Sequence, residues 1–221
     1  MSDPTPDPLL LAQLLCTRLC HDLAGPVGAV AAGVELTAGD PSQVDAETLG
    51  LIGNSSAAAT RKLKFLRAAL GVPGAASAVL SDLGGLIEGY LSATAGRAGP
   101  SSLHLPDAAT LSAVTMKVGP EIVPLMLNLC LVALEAQPAC KRLALDIAQG
   151  DSITLTATAE GDPARTADWR ADITTALSGV GGVPTAKTVQ AYYLRSLVAR
   201  IGGRLTTAAR DSNAMCICVI S

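Results

Sequence analysis

A histidine followed at once by an aspartate, His21 and Asp22, sits in the segment RLCHDLAGPVG, with Pro26 five positions beyond the histidine. An imidazole titrates near neutral pH and offers a nitrogen lone pair, so an exposed one can serve as a nucleophile or exchange a proton. Whether His21 is exposed depends on the element that carries it. At ~100° of rotation per residue, Leu11, Leu15, Leu19, Leu23, Val27, Val30 and Val34 fall on one broad apolar stripe of a helix. His21 lies two positions from both Leu19 and Leu23, so it is predicted to point away from that stripe, into water. Pro26 lacks the amide hydrogen that would reach the carbonyl of Asp22, and the helix is expected to bend or loosen beneath the imidazole. Gly25, Gly28 and Ala32 share the histidine's face. Each interior glycine costs a helix about 1 kcal/mol relative to alanine, which suggests that another backbone comes close here, as on a docking face. On these residues alone, an ordinary solvated histidine with incidental glycines remains an equal reading.

Other chemistry-bearing residues are sparse. The six cysteines are Cys16, Cys20, Cys130, Cys140, Cys216 and Cys218. Cys16, Cys20 and His21 make a poor metal set, because Cys20 and His21 lie about 100° apart on a helix and no second pair matches them. All six are expected to pack in cores in a reducing compartment. His104, in SSLHLP, is the second histidine, and its place on a short strand points to a structural role.

Composition narrows the function classes. Hydrophobic residues make up 49% of the 221 but aromatics only 2%, so the cores are aliphatic and no base-stacking platform exists. A net charge of −3 and a pI near 5.3 give no basic stripe for phosphates, and nucleic-acid binding is not expected. The N-terminal MSDPTPDP lacks a basic region followed by an apolar one, so a secretory signal is not expected, and the most apolar stretch, residues 122–136, is shorter than the ~20 residues a membrane helix needs. A cytoplasmic protein with no membrane segment is expected.

The first helix is predicted from about Leu9 to Thr37, a turn over residues 38–43, and a second helix from about Val44 to Leu70. In the second, Leu49, Ile52, Ser56, Ala59, Leu63, Leu66 and Leu70 recur at alternating spacings of three and four, a heptad seam. A two-helix hairpin cannot bury both seams, so a dimer forming a four-helix bundle is expected. Residues 71–77 read as a linker, which divides the chain into domains 1–75 and 76–221. Beyond it the reading is a helix at 79–95, strands near Leu103, at 113–117, 142–148 and 152–159, helices at 120–137, 169–177 and 185–200, and two closing strands at 204–209 and 215–220. A mixed sheet covered by helices follows, so the class is α+β.

Three stretches, RLCHDLAGPVGAVAAGVEL, NSSAAATRKLKFLRAALG and VQAYYLRSLVARIGGRL, resemble the ChpT-type histidine phosphotransferases of α-proteobacteria. The likeness touches both halves of the chain. The family resemblance implies a histidine-kinase-like dimerisation hairpin followed by an α/β sandwich similar to a degenerate kinase ATP-binding domain. Where kinases carry a second asparagine that holds the metal on ATP, NLCLVALEA has Val132; AEGDP has Ala159 in place of the adenine-reading aspartate; and SGVGGVP is a remnant of the phosphate lid. Ala24 and Gly25 replace the basic and Thr or Asn side chains usual after a kinase histidine, which puts a hydrolytic phosphatase role in doubt.

The resemblance further implies a phosphorelay shuttle of a multistep two-component system, in which a phosphoryl group passes from a receiver-domain aspartate to His21 and on to another receiver. Asp22 would accept the proton of the other ring nitrogen. Thr17, Arg18, Gly25, Gly28 and Ala32 would dock the receivers, with Arg18 able to help neutralise the phosphoryl group. The implied partners are receivers of a hybrid histidine kinase and of response regulators. No cofactor of its own is expected: ATP is not expected to bind, and magnesium would come with the receiver. An ATP-dependent histidine kinase and a non-catalytic receiver-binding scaffold are the competing readings.

Overall fold

The computed structural model describes residues 7–39, 45–71, 81–94, 100, 102–162, 170–180, 182–209 and 214–220, the last strand by its backbone alone. The expected turn over 38–43, the linker at 71–77, Trp169 and the final strand connection fall wholly or mostly outside those residues, as do the side chains of Cys216 and Cys218.

Two long antiparallel helices open the chain. Helix α1 is Pro8–Gly39 and α2 is Ala46–Leu70. Proline at the first helical position loses no hydrogen bond, and the Asp7 carboxylate accepts from the amides of Leu9 and Leu10 at 3.3 Å each. Asp45 caps α2 by accepting from the Thr48 amide at 2.7 Å, and these hydrogen bonds hold its carboxyl below the usual range. The two helices pack tightly at Gly33, which is buried: a Cβ there would stand 2.4 Å from Ile52 Cγ1. This glycine, and not Gly25 or Gly28, is where the hairpin leaves no room for a side chain, because that of Ile52 fills the space.

Next come α3 (Leu83–Ala93), β1 (Ser102–His104), α4 (Ala108–Val118), α5 (Ile122–Ala136), β2 (Arg142–Gln149), β3 (Ile153–Glu160), α6 (Ala171–Ser178), α7 (Val189–Arg200), β4 (Arg204–Ala209) and β5 (Ala214–Ile220). The sheet order is β1-β2-β3-β5-β4, with β1 parallel to β2 and every other pair antiparallel. The expected mixed sheet with helices, an α+β fold, is therefore what forms. The turn read at Gln149 to Asp151 closes the β2–β3 hairpin, in which Gln149 pairs with Ile153.

One element is corrected. Residues 113–117, expected as a strand, belong to helix α4. Asp107 caps this helix, accepting from the Thr110 amide at 2.8 Å, and the buried Leu111 and Val114 recur at helical spacing with half-buried Val118. A five-residue strand candidate lost to a cap and a longer, helical period.

Helix α5 is the hub. All its residues except Leu134 are buried, and it meets α2, α7, β2 and β3. Its apolar sides join those of the sheet, while Phe65, Leu66 and Ala69 at the end of α2 enter the same core beside Leu83, Ile87 and Tyr90 of α3. The Phe65 and Tyr90 rings stack with centroids 4.4 Å apart, worth about 0.5–1.5 kcal/mol beyond their burial. Among the described residues no single helix is long and apolar enough to cross a membrane.

Gly33→Val should lower stability by about 1–3 kcal/mol through the clash with Ile52, and adding Ile52→Ala should recover most of the loss. Urea melts of the single and double variants check this; equal melts for Gly33→Val and wild type would show that the contact is slack.

Candidate functional site

His21 stands where the periodicity places it. Its side chain is 87% exposed, about 120° around α1 from the buried Gly33 that meets α2. Ring atom Nδ1 lies 3.3 Å from Asp22 Oδ1, which leaves Nε2 directed at solvent. Gly25, Gly28 and Ala32 are exposed beside it, and a Cβ built on either glycine meets nothing within 4 Å. Thr17 is also exposed, its hydroxyl turned back to donate to the Gln13 carbonyl at 2.9 Å.

Helix α1 runs unbroken through Pro26. The carbonyl of Asp22, which Pro26 cannot bond, is taken instead by the ammonium of Lys62 on α2 at 3.0 Å. A cation therefore substitutes for the missing backbone donor directly behind the histidine, and nothing in the spacing of α2 marked Lys62 for that task.

Arg18 departs from expectation. Its side chain is only 15% exposed and its guanidinium donates to the buried carboxylate of Glu135 on α5, while Nε lies 3.6 Å from Asp22 Oδ2. It is therefore not a free cation at the rim of a docking face. Burial by itself would push the guanidinium down, but Glu135 and Asp22 together hold it above its ordinary value, so it stays charged. Burial pushes the Glu135 carboxyl up against the pull of Arg18, and pushes the nearby Tyr90 hydroxyl up to about 12, with the Asp22 charge adding to that rise.

These side chains line a cleft of about 840 Å³ between the hairpin and the rest of the chain, bounded by Arg18, His21, Asp22, Tyr90, Glu135 and Lys187 among others. Residue types and spacing alone did not mark Glu135 or Tyr90 for this cleft. One signal was there: Glu135 is the sole charged residue in helix α5, where every other residue but Asn128 is apolar.

The kinase-like features fall as follows. Asn128 is fully buried, its amide donating to the carbonyls of Ala69 and Pro124 at 2.6 Å each and its oxygen accepting from Gln190. Val132 and Ala159 are fully buried in the core. Gly179 and Gly182 adopt positive φ angles of 75° and 95° in the loop after α6, a backbone requirement that needs no ligand. Among the described residues no group of three or more His, Cys, Asp or Glu could hold a metal ion.

Two expectations for lone residues resolve separately. Cys130 and Cys140 are buried as expected, but Cys16 and Cys20 are exposed, one turn apart on α1. Core packing was too broad an expectation, because these two lie beyond the edge of the face that α2 covers. His104 sits on the sheet surface with Nε2 4.0 Å from Asp146 Oδ1.

Residues 110–213 match the family model for the histidine phosphotransferase C-terminal domain. That match spans 104 of the 221 residues. The ChpT-type resemblance read from the sequence is thereby borne out, and a curated relative agrees: protein phosphotransferase ChpT of Brucella abortus (strain 2308) is 41% identical over 66 residues. That alignment spans 30% of this chain and 31% of the relative. A solved bacterial phosphotransferase superposes over 99% of this chain and 100% of its own with a TM-score of 0.75 at 24% identity, which extends the shared fold to both parts of the molecule. The histidine kinase domain of a blue-light activated kinase from Erythrobacter litoralis aligns over 96% of this chain and 92% of its own at 15% identity, with a TM-score of 0.39.

Replacing Lys62 by methionine should cost about 1–2 kcal/mol by orphaning the Asp22 carbonyl. In a Pro26→Ala background, where an amide hydrogen returns to that carbonyl, the same replacement should cost little. A double-mutant cycle of urea melts decides it, and an undiminished cost in that background would rule out the substitution of one donor by the other.

Proposed function

We propose that this protein is a histidine phosphotransferase of a multistep two-component phosphorelay, taking a phosphoryl group from a receiver-domain aspartate onto His21 and passing it to response-regulator receivers. The observation that carries this reading is an imidazole 87% exposed, with one nitrogen engaged by Asp22 and the other free. In the step we envisage, the Nε2 lone pair attacks the phosphorus of the aspartyl phosphate. The phosphorus–nitrogen bond forms as the phosphorus–oxygen bond to the aspartate breaks, and the aspartate leaves as a carboxylate. Positive charge then builds on the ring, and Asp22, accepting from Nδ1–H, stabilises it. His21 and Asp22 are thus the proposed catalytic pair. The exposed Gly25, Gly28 and Ala32, with Thr17 at the edge, form the face against which a receiver would pack, and partners are receivers of a hybrid kinase and of response regulators.

Magnesium is proposed to arrive with the receiver, because transfer between acyl phosphate and imidazole needs its charge neutralised at the donor. ATP is not proposed as a ligand: Asn128 is enclosed and spent on Ala69, Pro124 and Gln190, and Val132 offers no metal ligand.

We further propose that the hairpin, residues 1–75, dimerises into a four-helix bundle, with residues 76–221 as the appended domain. Leu9, Val27 and Val34 of α1 and Leu49 and Leu63 of α2 are each half or more exposed, and Cys16 and Cys20 extend the α1 row. Turned about 100° or more from His21, that row gives a second copy an apolar seam without covering the imidazole. Light scattering should return about twice the 22.3 kDa chain mass, and Val27→Asp with Leu63→Asp should halve it; a monomeric wild type would contradict the bundle.

Incubated with a panel of phosphorylated receivers, the wild type should form acid-labile phosphohistidine and His21→Ala none, while magnesium and ATP alone label neither. Gly28→Arg, whose side chain meets open space within this chain, should slow transfer by about tenfold or more at an unchanged melting temperature. Label from ATP on pure protein would favour a kinase; unaltered signalling output from His21→Ala would favour a scaffold.

A further inference from the structure

We propose that Glu135 is a positioning residue for His21, acting across the cleft through Arg18 and Asp22 to keep the Asp22 carboxylate available to the imidazole. The inference rests on the reading of His21 as the phosphoryl carrier, but its geometry is independent of it.

Arg18 lies between two carboxylates. Its terminal nitrogen donates to Glu135 Oε1, whereas its Nε stops 3.6 Å from Asp22 Oδ2. That separation is a charge contact and not a hydrogen bond. Both atoms facing each other across it, Arg18 Nε and Asp22 Oδ2, are buried without a hydrogen-bond partner. A donor and an acceptor left unmet at that distance are held apart by a competing pull, and Glu135 supplies it. Only 4% exposed, its carboxylate cannot carry charge without a cation, and Arg18 is the cation it meets. While the guanidinium is drawn toward α5, the other oxygen of Asp22 remains 3.3 Å from His21 Nδ1.

The groups facing this row are few. Tyr90 approaches from α3, Lys62 from α2 binds the Asp22 carbonyl and not its carboxylate, Arg170, engaged with Asp172, acts on Glu135 through its charge, and Lys187 lines the same cleft. With the Glu135 charge removed, Arg18 is free to close on Asp22 as a paired, charge-assisted contact. The carboxylate would then be spent on the guanidinium. The tautomer with the proton on Nδ1, which turns the Nε2 lone pair outward, loses its support. Placement of the second domain therefore reaches the nucleophile through three side chains.

Nitrogen-15 NMR of the full-length protein reads this at a pH where His21 is neutral. Wild type should hold mainly the Nδ1–H tautomer. Glu135→Gln should lower the Nδ1–H to Nε2–H ratio by roughly threefold or more. Replacing Arg18 and Glu135 together by methionine should restore the ratio to wild type or above it, because the competing cation is gone. A purely structural contact predicts that both variants shift the ratio in the same direction, and that outcome, or no shift in either, overturns the proposal. A wild type dominated by Nε2–H overturns it without any variant. Transfer from a phosphorylated receiver is run in parallel: a wild type that shows the tautomer response but takes no phosphoryl group sinks the carrier reading alone.

Discussion

The buried pair between Arg18 of α1 and Glu135 of α5 is the constraint on which the arrangement around His21 depends. Two charges removed from water attract strongly in a low-dielectric interior, but their desolvation consumes most of that gain, so such a pair adds little net stability. What it adds is geometry. Each charge is costly unless the other is present, so α1 and α5, 117 positions apart at these residues, are held at one approach. The cleft beside the histidine takes its shape from that approach.

A single helix carries three separate tasks on three faces. One face of α1 packs on α2, with Gly33 against Ile52; a second shows a row of exposed aliphatic side chains; a third shows His21 with its glycines. Such a division requires a straight, uninterrupted helix, because a break would rotate the faces out of phase. Pro26 threatens it. Lys62 removes the threat by donating to the one carbonyl that the proline leaves unmet, so the helix retains its register across the functional turn.

The part of the chain beyond the hairpin contributes in a different manner. Its helix α5 is almost wholly enclosed, and the polar residues it does contain are committed: Asn128 stitches the end of α2 to α5 and α7, and Glu135 grips Arg18. A nucleotide-binding helix would need such groups open to a ligand. Here they hold the molecule together, which fits a domain whose proposed role is to present and steady a phosphotransfer hairpin.

The periodicity of α1 and α2, the exposure of His21, the α+β order of elements and the β2–β3 hairpin could all be read from residue types and spacing, because each follows from local rules of helix face, strand alternation and turn chemistry. The strand expected at 113–117 failed for a local reason too, a five-residue stretch outweighed by the cap at Asp107 and the helical spacing of Leu111 and Val114. The partnerships of Arg18 with Glu135, of Lys62 with the Asp22 carbonyl and of Gly33 with Ile52 were decided by the tertiary structure. Each joins residues far apart in the chain, and a side chain's preference for solvent or for a buried partner is settled only when folding brings that partner within a few ångströms.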